Sequence, residues 1–278
     1  MNSPTQNLVY GCMTHMPLTI DFPEYVKPIC LGEAQDEGQL NLRDLAPEWE
    51  AHHPILGGTA GTFALKNYVL REHPEATHIG ICQYRKFVSR QAIGQPSTNY
   101  TAMNVVTCDE FDDSDPAELM LPGASNFLIG KPGQFSIEVN GHDYLWQYAG
   151  CHHVEDLLRF TAEAVIVGAL DPTEVHTFYG ETQFFPGGVE LGVFPADFWL
   201  PTVTTIEDTV RACIERYGDT KRIGYQARAW AFCVERLGSY LLLKHLRENY
   251  SQEQIFDEFF GQLHLINNDG TLAYTPGV

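Results

Sequence analysis

Apolar residues cluster along this chain in runs of different period, and the periods predict its elements. Leu8–Met13 and Val26–Leu31 are short apolar runs rich in strand formers, the second ended by Gly32. From Gly32 to Pro54 the chain is polar and rich in turn formers, which predicts a connection. Across Thr59–Arg71 the spacing becomes helical, through Phe63, Leu65, Tyr68 and Leu70. Pro74 stops that helix, because proline cannot continue the hydrogen-bond ladder. Thr77–Tyr84 (THIGICQY) is a near-continuous buried-strand pattern that emerges into the polar end QYRK. Strand, strand, helix, strand is the opening of an α/β domain with a mostly parallel central sheet flanked by helices.

The middle is less regular. Met103–Thr107 and Phe127–Ile129 predict strands, separated by an acidic loop at Asp109–Asp115. His153–Leu170 predicts a helix carrying Leu157, Leu158, Val165 and Val167. Gly187–Phe194, bracketed by Pro186 and Pro195, predicts a strand entered through a Gly-Gly turn. Ile206–Tyr217 and Tyr225–Glu248 predict C-terminal helices, the second with Trp230, Val234, Leu237 and Leu241 on one face. Gln254–Leu263 predicts a weaker helix, and the tail NNDGTLAYTPGV predicts a loop. With no internal repeat, low-complexity tract or linker, one domain over residues 1–278 is expected. Its core would cover about 7–247, with a C-terminal helix and tail at 248–278.

Composition narrows the function. At 44% hydrophobic and 12% aromatic, the 278 residues can bury a large core. Thirty-six acidic against 17 basic residues give a formal charge of −19, which argues against nucleic acid or an anionic bilayer as the main partner. The N-terminal MNSPTQNLVYGCMTHMPLTIDF has no cationic n-region, so no secretory signal is expected. No stretch approaches the ~18 apolar residues of a membrane span. The seven scattered cysteines fit small buried hydrophobes in a reducing compartment, and a cytoplasmic location is expected.

Against this acidic background Gln83–Phe87 (QYRKF) stands out. At the carboxyl end of a strand in an open α/β sheet, side chains point into the ligand crevice. Two adjacent cations there suit an anion such as a diphosphate, and arginine's planar fork makes bidentate phosphate contacts. A strand end that simply becomes solvated would read the same way.

Thr77–Val88, THIGICQYRKFV, resembles the D-Y-I-G-L-C-H-Y-R-R-Y-F signature of a bacterial family of capsular or exopolysaccharide glycosyltransferases, formerly a domain of unknown function. Other segments fit in the same order. LVYGCMTHMP at Leu8–Pro17 is similar to the family's opening strand and H-K-P, and PICLG at Pro28–Gly32 to P-I-x-V-G. TAGTFALKN at Thr59–Asn67 is similar to T-A-L-Y-W-A-W-K-N. HVEDL at His153–Leu157 resembles H-x-x-D-L, and RAWAFCVERL at Arg228–Leu237 resembles R-V-F-G-F-L-A-E-R-L. The match spans roughly residues 8–245, and its departures are Gln83 for the family's His, Lys86 for its second Arg, and Gly57 for the Glu that opens its T-A-L-Y helix.

The resemblance implies a GT-A-like fold and transfer of a sugar, of the hexosyltransferase type, from a nucleotide-sugar donor, UDP-linked by expectation. The acceptor would be a saccharide or lipid-linked saccharide in surface-polysaccharide synthesis. It implies donor-binding roles for His15, Gly32, Gln83, Tyr84, Arg85, Lys86, His153 and Arg228. His15 and Gly32 would lie near the nucleotide, and Tyr84, Arg85 and Lys86 would face the diphosphate. Gly187 and Gly188 would border sugar and acceptor, because neither has a Cβ. Inverting transfer needs a carboxylate to take the acceptor proton. Glu235, Asp156 and Glu190 are the candidates, in that order, although each could be a structural charge.

Most GT-A enzymes hold a divalent ion with Asp-x-Asp. The local match is Asp113-Ser-Asp115, in a polar loop where aspartates also cap turns. The QYRK strand end lies where that motif would be expected, so no cofactor is expected and Arg85 and Lys86 would neutralise the leaving group. The pairs His52-His53 and His152-His153 cannot both face one site from a helix and lack the H-E-x-x-H geometry. G-x-S-x-G, Walker A and a G-x-G-x-x-G after the first strand are absent. Two alternatives stay open: a metal-dependent hydrolase or transferase using Asp109–Asp115 with histidines, and a non-catalytic nucleotide- or carbohydrate-binding protein.

Overall fold

The structure is a computed structural model, and it describes residues 7–34, 40–100, 102–136 and 142–274. The first six residues of the N-terminal reading and the last four of the tail lie outside the described residues.

The strands are β1 (Leu8–Thr14), β2 (Val26–Cys30), β3 (Leu40–Asn41), β4 (His78–Gln83), β5 (Lys86–Ser89), β6 (Gln95–Pro96), β7 (Met103–Val106), β8 (Ile129–Gly130), β9 (Gly133–Gln134), β10 (Gln183–Phe184), β11 (Gly192–Pro195) and β12 (Phe260–Ile266). The long helices are α1 (Gly58–Glu72), α2 (Tyr144–Cys151), α3 (Val154–Ile166), α4 (Ala196–Tyr217) and α5 (Ala229–Asn249). The large sheet runs β3-β2-β1-β4-β5-β12-β7-β6, with β11 on β4 and β8 on β12, while β9 and β10 pair separately. Strands β3, β2, β1 and β4 are mutually parallel, as are β7 and β8 with β12. The antiparallel members are β5, β6 and β11. This is the mixed α/β architecture with a largely parallel central sheet that the sequence predicts.

Alternation along the strands sorts side chains into two cores. Tyr10, Cys12 and Cys82 face a smaller core with Phe87, Phe111 and Leu263. Met13, Ile79 and Ile81 face the helical layer, where Trp49, Trp199 and Trp230 are fully buried. Helix α4 packs on α1, α3 and α5 in that layer.

Four sequence expectations are corrected. Gln254–Leu263 is not a helix: a short helical turn ends at Phe259, and Phe260–Ile266 becomes β12 between β5 and β7. Its apolar residues are buried by neighbours on both sides, a context that local spacing does not reveal. Asp109–Asp115 is not a loop, because Thr107 and Glu110 form a reciprocal capping box that starts a helix at Cys108–Asp112. Gly187–Glu190 is a turn, and the strand begins only at Gly192. Helix α4 starts ten residues before the predicted Ile206, running through Pro201 near its N-terminal end. There the hydroxyls of Thr202 and Thr204 donate to carbonyls four residues back.

Candidate active site

A cleft of about 680 Å³ opens where β1 and β4 end. Its floor is the Tyr84–Arg85 turn that joins β4 to β5 through the Gln83–Lys86 pair. The turn is held from both sides. Tyr84 N–H donates to Met13 O at the end of β1 (2.9 Å), and Ile266 N–H of β12 donates to Arg85 O (2.8 Å). Gln83, Tyr84, Arg85 and Lys86 therefore all line the cleft. The Arg85 guanidinium lies 5.6 Å from the Tyr84 ring centroid. Lys86 Nζ donates to Tyr274 Oη at 3.1 Å and sits 4.9 Å from that ring's centroid, so the C-terminal tail forms part of the rim.

His15 follows β1 and meets the Tyr84 ring edge-on, centroids 4.9 Å apart. Burial, then Arg228 and Arg85, hold its pKa below the ordinary histidine value. His53 is lowered by burial, then by His15 and Arg228. These groups share one electropositive corner. Arg228 ends the short helical turn Gly224–Arg228 that leads into α5, and its buried Nε has no hydrogen-bond partner among the described residues. Its guanidinium lies against Gly57, where φ is +56° and an added Cβ would stand 2.5 Å from Arg228 Nη2. The absence of a Cβ at Gly57 is what lets Arg228 lie there.

The other wall is the turn after β10. Glu235 Oε1 on α5 accepts from Gly187 N–H at 2.7 Å. Gly188, at φ +56°, approaches the α5 backbone so closely that a Cβ would lie 2.8 Å from Glu235 O. Gly188 is therefore a packing contact with α5, while Gly187 lines the cleft. Phe185 N–H donates to Ser239 Oγ (2.8 Å), and Trp199 Nε1–H donates to Val189 O (2.9 Å), which fixes the turn at both ends.

The turn delivers Glu190. Its side chain is 8% exposed, and Thr62 Oγ1 donates to it at 3.4 Å. Burial raises its pKa to about 7; the nearby Glu235 charge adds to this, while Thr59, Thr62 and Arg228 oppose it. A carboxyl group titrating near neutrality in a cleft is suited to exchange protons with a bound hydroxyl.

Four candidates from the sequence lie elsewhere. Asp156 is buried but does not line the cleft: Arg222 Nε donates to its Oδ2 at 3.2 Å, and Arg159 approaches Oδ1 at 3.7 Å. Asp156 is thus engaged in ion pairs away from the cleft, whereas the sequence reading places it among the catalytic carboxylates. His153 is exposed outside the cleft; its neighbour His152 lines the cleft instead, stacked on Phe232 with centroids 4.2 Å apart. The chain turns at 153 to begin α3, so adjacent histidines point apart. Gly32 stands behind His53, whose Cε1 would be 2.9 Å from a Cβ there. Gly188 is the fourth. In the same way His52 pairs with Asp219 (3.1 Å) while His53 faces inward.

Sequence reasoning did not select His53, His152, Arg236 or Tyr274. A signal existed for Arg236 alone, since it sits beside Glu235 in the ERL segment.

The cleft has the opposite sign from the chain. Arg85, Lys86, Arg228 and Arg236 face Glu190 and Glu235, so 4 − 2 gives a formal +2 with histidines neutral. Among the described residues, no group of three His, Cys, Asp or Glu side chains could hold a metal ion. The strand end itself offers two cations and no carboxylate, and the exposed Asp113 and Asp115 lie outside the cleft.

Against solved structures, the chain is similar to the apo structure of WbbM, a bifunctional glycosyltransferase, with a TM-score of 0.73 at 13% identity. The fold is that of a glycosyltransferase. The likeness covers 98% of this chain and 48% of WbbM, so the chain spans about half that protein's length. No protein-family model and no curated protein matches the sequence. Among the described residues of this glycosyltransferase fold, no helix is long and apolar enough to cross a membrane.

Proposed function

We propose that the protein is a glycosyltransferase that moves a sugar, of the hexosyl type, from a nucleotide-sugar donor to a saccharide acceptor. The reversal of charge carries this reading: a cleft of +2 at the carboxyl ends of parallel strands, in a chain of −19. Such a cleft concentrates a dianionic diphosphate, and the surrounding surface does not. Arg85, Lys86 and Arg228 would bind the diphosphate of a UDP-type donor beside His15 and His53. They neutralise the charge that develops on the leaving group, so no divalent ion is required.

Glu190 is the base. At a pKa near 7 it takes the acceptor hydroxyl's proton as the new bond forms and the nucleoside diphosphate departs. Glu235 positions rather than reacts, because its carboxylate already accepts from Gly187 N–H. The motifs shared with the capsular and exopolysaccharide enzymes support surface-polysaccharide assembly as the setting and the cytoplasm as the site.

A thermal-shift screen across nucleoside diphosphates and nucleotide sugars tests the reading. The expected result is a rise of several degrees with UDP, reduced at the same UDP concentration in Arg85→Ala. No response to any nucleotide refutes it. Transfer that stops in EDTA and returns with Mn²⁺ refutes metal independence alone. Binding without turnover or donor hydrolysis makes the protein a non-catalytic member of the fold.

A further inference from the structure

Glu190 and Glu235 share the cleft with two groups of cations. One is Arg85, Lys86 and Arg228 with His15 and His53. The other is Arg236, eight residues beyond Arg228 on α5 and therefore about 12 Å further along the helix. Arg236 is 4% exposed. Its Nη1 donates to Phe232 O at 2.8 Å and its Nη2 to Gln147 Oε1, while its buried Nε has no hydrogen-bond partner among the described residues. The guanidinium lies 4.6 Å from the centroid of Tyr148 and 5.8 Å from that of Phe184.

Among the described residues no carboxylate forms an ion pair with Arg236, and that of adjacent Glu235 is turned to Gly187. A buried cation held only by neutral acceptors is costly, so the site is completed by an anion from outside. Elsewhere arginines pair with the protein's own carboxylates, as Arg222 does with the buried Asp156.

The surroundings indicate which anion. Phe135, Phe184 and Phe232 line this end of the cleft, and His152 stacks on Phe232. Aromatic faces pack against the C–H face of a sugar ring, while a guanidinium receives a carboxylate on that ring. The acceptor hydroxyl attacks the anomeric carbon from the face opposite the leaving diphosphate, with the base beside that hydroxyl, so a cation set apart from the diphosphate group belongs with the acceptor. We propose that Arg236 recognises a sugar carboxylate, so that the acceptor presents an acidic residue of the uronic-acid class. This inference rests on the glycosyltransferase reading above.

The probes are disaccharides ending in glucuronic, galacturonic or mannuronic acid and their carboxyl-reduced counterparts, titrated calorimetrically into the UDP-saturated protein. At least one uronide should bind tenfold or more tightly than its reduced counterpart. Arg236→Gln should abolish that preference yet keep UDP binding, whereas Arg85→Ala should weaken UDP binding by about 10–100-fold and keep the uronide preference. The wild-type comparison stands even if Arg236→Gln fails to fold. Equal affinity for every acid and reduced pair overturns the proposal, as does a preference that survives Arg236→Gln. Inorganic pyrophosphate whose binding depends on Arg236 and not on Arg85 would assign the anion to a lipid-linked diphosphate and also overturn it. Loss of the UDP response alone overturns the nucleotide reading and not this one.

Discussion

Glu207 and Glu190 are both buried, one between α1 and α4 and the other in the cleft wall. Glu207 is surrounded by donors and cations. Lys66 pairs with Oε2, while Trp49 Nε1–H (2.7 Å) and Arg211 (3.1 Å) donate to Oε1. Glu190 has threonine hydroxyls and the like charge of Glu235 close by, and its pKa rises to about 7. The contrast separates two uses of one side chain. A buried carboxylate matched by cations holds the scaffold in place. A buried carboxylate left short of them stays exchangeable, which a proton acceptor requires.

The strongest way to break this contrast is to substitute Glu190. Glu190→Gln should lower turnover by about 10²–10⁴-fold while leaving the thermal midpoint close to the parent's, measured by initial rates and calorimetry. With Glu190 as base, wild-type turnover should rise with pH and level off above about pH 7, where the carboxylate is ionised. A flat profile, or a variant with near-normal turnover, removes Glu190 from the mechanism.

The mirror substitution is Glu207→Ala, which strands Lys66 in the helical layer. Denaturant unfolding should show a loss of about 3–5 kcal/mol, with the remaining folded enzyme still active. A stability change under about 1 kcal/mol would put Glu207 among ordinary surface ion pairs.

His264 sharpens the scaffold side. It is fully buried on β12, stacked on Phe87 with centroids 4.8 Å apart, and Nε2 accepts from Ile93 N–H at 3.1 Å. Burial lowers its pKa to about 4. Between the ordinary histidine value of about 6.5 and about 4, the unfolded chain binds a proton that the folded protein excludes. Stability attributable to His264 is thus intact above about pH 6.5 and falls by about 3 kcal/mol as the pH drops to about 4. His264→Gln should flatten this part of the stability curve, even with a lower midpoint at neutral pH.

The smallest effect belongs to the cleft cations. Arg85→Ala should weaken UDP binding by roughly 10–100-fold, as expected for a charge-assisted hydrogen bond. Wild-type UDP binding should take up protons near pH 6, seen as a buffer-dependent enthalpy. An incoming phosphate raises the depressed pKa values of His15 and His53. Proton release would place those imidazoles away from the diphosphate.

Much of the scaffold was legible because burial leaves a periodic mark. The THIGICQY run becomes β4 within a residue at either end, and Thr59–Arg71 becomes α1. What escaped was context. β12 lies between β5 and β7 although its residues follow a helical turn directly, and local spacing carries no record of such distant partners. Asp156 and Glu190 look alike in sequence as acidic residues among apolar ones. Arg222, 66 residues away, pairs with the first outside the cleft, and the fold brings Glu190 to the cleft.

The sequence by itself determined the α/β layering, the cationic strand end at Gln83–Lys86 and the sign contrast with a chain of −19. Those properties are set by residue type and local period. Tertiary structure alone decided which histidine of each pair faces the cleft and which glutamate is left short of cations. Among the described residues, it also left Arg236 without a carboxylate partner. The pKa of a buried charge depends on its neighbours in space, and chain order does not specify them.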